Sequence, residues 1–98
     1  MIDNLTRDKF AECLNDRFRV LDDPSATFDL KLTEVSEQKA AYGQETFSIL
    51  FHGPAERFMP QAIHSLKHER LGEFELFLVP VGRDEAGFQY EAVFNRLI

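Results

Sequence analysis

The sequence predicts a mainly β protein: a small antiparallel six-stranded barrel, or else a two-layer sandwich, with one short N-terminal helix. Three observations lead there. From residue 27 to residue 97, apolar side chains recur at every second position, the period of a half-buried strand. No helical segment lies between the strands, and parallel pairing needs such crossovers, so the sheet is expected to be antiparallel. The chain holds ten Phe and no Trp, and rings without a polar handle belong in a core or on an apolar contact surface. Strands with one apolar face bury it most simply by curling into a closed or two-layered sheet. At 98 residues, a single domain over residues 1–98 is expected.

The chain opens with a short amphipathic helix. Thr6 is a fair N-cap, Asp8 sits in the first turn, and Leu5 and Phe10 hold the paired positions of a hydrophobic staple. Phe10, Cys13 and Leu14 share a face and Asn15 is the stop, giving a helix of about ten residues. Phe18 and Val20 then begin a short strand that ends at Asp22-Asp23-Pro24. In the strand from Thr27 to Val35, Phe28, Leu30 and Leu32 point inward, and Glu34 follows the same parity. Ser36 to Gln44 reads as a polar connection. Glu45 to Gly53 is a strand with Phe47, Ile49 and Phe51 on one face. A loop runs to Pro60, and Gln61 to His68 is a further strand.

Glu73 to Val81 is the most apolar stretch. Both its faces are apolar from Leu76 onward, so it is expected to be covered on both sides, by the helix or by a second copy of the chain. Pro80 cannot donate to a ladder and marks an edge or a bulge. Gly82 to Gly87 is a turn, and the last strand runs from Phe88 to about Leu97 with Phe88, Tyr90, Ala92 and Phe94 inward.

Composition narrows the function classes. The net charge is −6, with eleven Lys and Arg scattered along the chain. Duplex binding rests on clustered cations that neutralise phosphates, so no nucleic-acid partner is expected. No apolar run approaches a membrane span, no leader segment follows Met1, and one cysteine cannot form an internal disulfide. A cytoplasmic protein without a membrane partner is the expectation.

Several segments carry a resemblance: Glu45-Thr46-Phe47-Ser48-Ile49-Leu50-Phe51-His52-Gly53-Pro54, Pro60-Gln61, Leu66-Lys67-His68 with Leu71-Gly72, Glu75-Leu76-Phe77-Leu78-Val79-Pro80-Val81-Gly82, and Tyr90-Glu91-Ala92-Val93-Phe94-Asn95. On these the chain resembles a family of small uncharacterised bacterial proteins, a domain of unknown function. The resemblance implies a shared compact β fold and no particular activity. Its loose association with phage-tail-like gene products implies an assembly role. The chain departs from the resemblance at His64, where a larger aromatic residue is expected.

No catalytic constellation stands out. His64 and His68 have a spacing that joins two metal ligands on a helix. On a strand they lie about 13 Å apart, so no metal site and no cofactor is expected, and local hydrogen bonding accounts for them. Asp22, Asp23, Glu73, Glu75, Asp84 and Glu85 fall at turns or on polar faces and read as a solvated rim. Cys13 lies on the apolar stripe of the helix with no cation beside it and reads as an inert core thiol. Two functional readings follow. The first is a non-enzymatic interaction or assembly module that contacts a protein partner, or itself, through Phe58, Met59, Phe77 and Val79. The second is a small-molecule-binding barrel or minor enzyme with a Phe-lined pocket whose polar groups are Glu34, His52, Tyr90 and Glu91. A filled interior favours the first and a cavity the second.

Overall fold

The computed structural model describes residues 5–97, so residues 1–4 and 98 of the expected domain lie outside the described residues. One helix, α1 (Arg7–Glu12), precedes seven strands: β1 (Arg17–Val20), β2 (Phe28–Val35), β3 (Lys39–Ala41), β4 (Gln44–Pro54), β5 (Ala62–His68), β6 (Gly72–Asp84) and β7 (Gly87–Leu97). The hydrogen-bonded order is β1–β5–β6–β7–β4–β2, and β2 returns to β1, which closes the ring. Every pairing is antiparallel. The expected six-stranded barrel is therefore present, with β3 added as a seventh strand. It pairs with the first residues of β4 where a polar connection was expected. Its residues Lys39, Ala40 and Ala41 are all exposed, so no inward alternation marks it in the sequence.

The helix forms as its caps dictate. The Thr6 hydroxyl accepts a hydrogen bond from the Lys9 N–H at 3.2 Å. Asn15 ends the segment in the left-handed region at φ 72°. The helix has six residues rather than about ten. It closes one mouth of the barrel by dropping Phe10 among Phe18, Phe47, Phe74 and Phe94, with ring centroids 5.4–6.5 Å away.

The opposite mouth is closed by the loop between β4 and β5. Met59 is 4% exposed there, and its N–H donates to the Tyr90 hydroxyl at 2.9 Å. Between these plugs stand Leu30, Leu32, Ile49, Phe51, Leu66 and Leu78, all at most 1% exposed. Side chains fill the interior, as is usual for a barrel this narrow.

Two register shifts shape the wall. One lies between Leu32 and Glu34 on β2, where Leu32 faces Phe51 but Glu34 faces Leu50. The extra residue reverses the parity, so Glu34 points to solvent, which agrees with a strand that has left the core by Glu34 and not with an inward carboxylate. The other lies between Pro80 and Gly82 on β6, the irregularity that Pro80 signals. The expectation that β6 is covered on both sides does not hold within the chain. Phe77 and Val81 are each 51% exposed, because α1 sits at the mouth and not on the outer wall.

Candidate functional site

The four polar residues expected to line a pocket do not meet. Tyr90 is inside and fully buried, and its hydroxyl is used by Met59. Burial pushes the Tyr90 phenol up, with the Met59 hydrogen bond opposing. Glu34 is exposed beyond the β2 bulge. His52 stands on the outer wall, its Nε2 3.1 Å from an Asp84 carboxylate oxygen. Glu91 is also on the outer wall, between Leu50 of β4 and Val79 of β6. Inward and outward positions alternate along a strand, so Tyr90 and Glu91 could never have shared a cavity.

Each histidine meets an aspartate distant in sequence, and His64 and His68 also make the local hydrogen bonds expected of them. His64 is buried with Nδ1 against Asp22 and Nε2 2.8 Å from the Pro60 carbonyl. Asp22 also accepts the Ser65 N–H at 2.8 Å. One side chain thereby ties the end of β1 to β5 and to the Met59 loop. The departure from the family resemblance at His64 is a ring of similar breadth that adds two polar contacts. Asp22 and Asp84 are exposed, as expected of a solvated rim, and are in addition partners of histidines.

His68 anchors the other end of β5. Its Nε2 is 2.9 Å from an Asp16 carboxylate oxygen, and its Nδ1 faces the N–H groups of Arg70 and Leu71 at 3.0 and 3.2 Å. Arg70 Nη2 reaches the same Asp16 oxygen at 3.0 Å and lies 3.7 Å from Cys13 Sγ. Asp16 is held below the usual carboxylate range by its hydrogen bond to His68, with Arg70 adding to the effect. Cys13 does have a cationic neighbour, then, supplied by the β5–β6 turn. Burial outweighs it and pushes the thiol up, which keeps Cys13 unreactive.

Cys13 Sγ, an Asp16 oxygen and a His68 nitrogen lie within 4.8 Å of one another, close enough to suggest a metal centre. In the structure the three are instead engaged in hydrogen bonds. Backbone N–H groups can only donate, so His68 Nδ1 must accept and carries no proton. The neutral ring then holds its single proton on Nε2, where it donates to Asp16 and offers no lone pair. A metal-bound histidine instead donates from its second nitrogen to an acceptor. The positive charge that the two acidic groups attract is already supplied by the Arg70 guanidinium. This cluster is a clamp between the end of α1 and the β5–β6 turn.

The expected contact residues divide. Met59 is a buried plug, not surface, because the loop folds it under the barrel. Phe58 is exposed and packs edge-on against Phe88 at 5.1 Å between ring centres. Phe77 is exposed and Val79 half-buried, both on the outer wall. Sequence reasoning missed Ile63, which is 66% exposed and directly opposite Phe77 on β5. It also missed Val93, 55% exposed on β7. The β6–β7 ladder ends at Val79 and Glu91, and that register continued by two residues sets Val93 level with Phe77. Ile63 and Phe77 are thus a paired apolar couple, with Val93 on the continued line of β7 completing a row. The signal was present in the outward parity of β5 and β7.

Fold and surfaces together define a small closed antiparallel barrel, plugged at both mouths and carrying its distinctive features on its outer wall. The chain belongs to the family described as a domain of unknown function (DUF6916), which matches residues 5–94. No curated protein and no solved structure matches it. Among the described residues no helix is long and apolar enough to cross a membrane.

Proposed function

We propose that the protein is a non-catalytic interaction and assembly module that pairs with a second copy of itself through the outer face of β5, β6 and β7. The observation that carries this reading is the row Ile63–Phe77–Val93. Each member is more than half exposed, although large apolar side chains set side by side on a sheet favour leaving water. The row reads the same from either end: an aliphatic residue, an aromatic ring, an aliphatic residue. A twofold axis through Phe77 would lay Ile63 of one copy on Val93 of the other, the self-complementarity that a symmetric dimer requires. Val79 extends the apolar area along β6. Burying one Phe contributes about 1.5–3 kcal/mol, so a few such residues set the strength of a dimer.

The packed interior also supports this reading over that of a ligand-binding barrel, since the Phe rings contact one another where a ligand would lie. A bacterial cytoplasmic setting suits the single buried thiol. Sedimentation velocity over a range of concentrations tests the proposal. The expected result is a monomer–dimer equilibrium that Phe77→Glu shifts fully to monomer, while Phe58→Glu leaves it in place. A wild-type protein that stays monomeric at the highest concentration would overturn it.

A further inference from the structure

We propose that the wall of the barrel opposite β6 holds a phosphate-binding site built on Arg17 of β1 and Lys31 of β2. These residues are direct cross-strand partners, and Lys31 is in turn the partner of His52 on β4. Two positions along β1, Arg19 is the partner of Lys67 on β5. All four Lys and Arg side chains are exposed. Four of the eleven basic residues of an acidic chain are thus brought together by folding. Like charges placed directly opposite each other weaken a sheet, and here two such pairs stand side by side. The second pair is balanced by its other neighbours, Asp29 opposite Arg19 and Glu73 opposite Lys67, whereas Arg17 and Lys31 have no carboxylate among their ladder partners.

The charges are not used up internally. Arg19 is engaged by Asp29 at 3.4 Å, but among the described residues no carboxylate forms an ion pair with Arg17 or Lys31. Both line a surface cleft of about 480 Å³ together with Asp29, His52, Gly53 and Pro54. That volume lies within the range of small-molecule sites. A guanidinium fork beside an ammonium matches a tetrahedral oxyanion, the first by paired hydrogen bonds and the second as a point charge. Asp29, by holding Arg19, leaves Arg17 free to face the cleft.

The wall favours a compact phosphate over a nucleic-acid strand. Among the described residues it exposes no Phe or Tyr on which bases could stack, and Asp29 and Glu69 interrupt the cationic track. The ligand class is therefore a phosphate group, borne either by a soluble metabolite or by a lipid head.

Titration of the full chain with pyrophosphate, followed by calorimetry and by amide chemical shifts, tests the site. Shifts are expected at Arg17, Lys31, His52 and Gly53. Lys31→Glu turns the like pair into an opposite one, so it is expected to raise the melting temperature while weakening pyrophosphate binding about tenfold or more. Arg17→Gln is the second variant and should weaken binding with the fold retained. Vesicles of phosphatidylglycerol, offered in parallel, distinguish a lipid head from a soluble phosphate. Binding of either probe that depends on Lys31 upholds the proposal. Three results would overturn it: no binding of either probe, equal loss in Arg96→Gln at the other end of the β4–β7 ladder, where Arg96 is the partner of Glu45, or a single-stranded oligonucleotide that engages the same amides more tightly than pyrophosphate.

Discussion

Asp16 and His68, separated by 52 residues, are joined by a 2.9 Å hydrogen bond that fastens the start of the barrel to the far end of β5. The bond fixes the chemistry of the ring. Two backbone donors on Nδ1 leave the proton on Nε2, and the resulting tautomer faces Asp16 without a free lone pair. Long-range nitrogen–proton correlation spectra are therefore expected to show His68 as the Nε2–H tautomer. Stoichiometric zinc should leave the melting temperature unchanged. A zinc-dependent rise would mean that Cys13, Asp16 and His68 do reorganise around a metal.

Removing the ring leaves two backbone donors unpartnered and Asp16 with Arg70 alone, and opens a void beside Phe18, whose ring centre lies 4.6 Å from that of His68. His68→Ala is expected to cost about 2–4 kcal/mol, combining the cavity and the lost hydrogen bonds, as measured by chemical denaturation.

The acid limb of stability follows from three carboxylates held below their ordinary range. Asp16 is stabilised in its charged form chiefly by His68, Asp84 by His52, and Asp23 by Ser25. In each case the folded protein binds the proton less readily than the unfolded chain. Their contribution is therefore complete above the unfolded value, near pH 4, and is lost as pH falls through the depressed folded value. Asp16→Asn should lower stability at neutral pH and flatten its decline below pH 4, an outcome read from denaturation midpoints across pH.

Tyr90→Phe tests the second plug. It removes only the acceptor of the Met59 N–H, a buried donor, so a loss of about 1–3 kcal/mol is expected. Hydrogen exchange at Met59 should accelerate more than exchange at Phe51, which lies deeper in the barrel. Equal acceleration at both sites would mean that the hydroxyl does not hold the loop.

Two glycines of the β4–β7 ladder, Gly53 and Gly87, leave no room for a Cβ. A Cβ at Gly53 would stand 2.7 Å from a Leu30 methyl, whereas one at Gly87 would stand 1.8 Å from the Gly53 carbonyl oxygen. A methyl can swing aside and a backbone oxygen in a ladder cannot. Gly53→Ala is expected to cost about 1–3 kcal/mol and Gly87→Ala distinctly more, as ranked by thermal melts.

Much of the fold could be read from alternation because one face of each strand meets a dry interior. The inward Phe28–Leu30–Leu32 run, the Phe47–Ile49–Phe51 run and the last strand are of this kind. What alternation could not show was a change of phase. The β2 bulge turns Glu34 outward, and only the partner strand reveals it. The strand β3 has no buried residue to announce it. The histidine–aspartate ties were illegible for a different reason: Asp16 and Asp22 flank β1 and look like turn residues. Their role appears only when β1 is laid antiparallel on β5, with Val20 opposite Leu66. That step sets Asp22 beside His64. The contact rows on the outer wall have the same origin, since Ile63 and Phe77, or Arg17 and Lys31, are unremarkable until register makes them neighbours.

Order along the chain and order around the ring disagree, and this governs how the molecule comes into being. Strand β1 waits for β5, while β7, the last of the seven in chain order, supplies the seam between β4 and β6. An emerging chain therefore exposes its phenylalanines until its final eleven-residue strand is in hand. Truncating β7 would leave not a smaller barrel but an unsealed one, open to capture by chaperones and proteases.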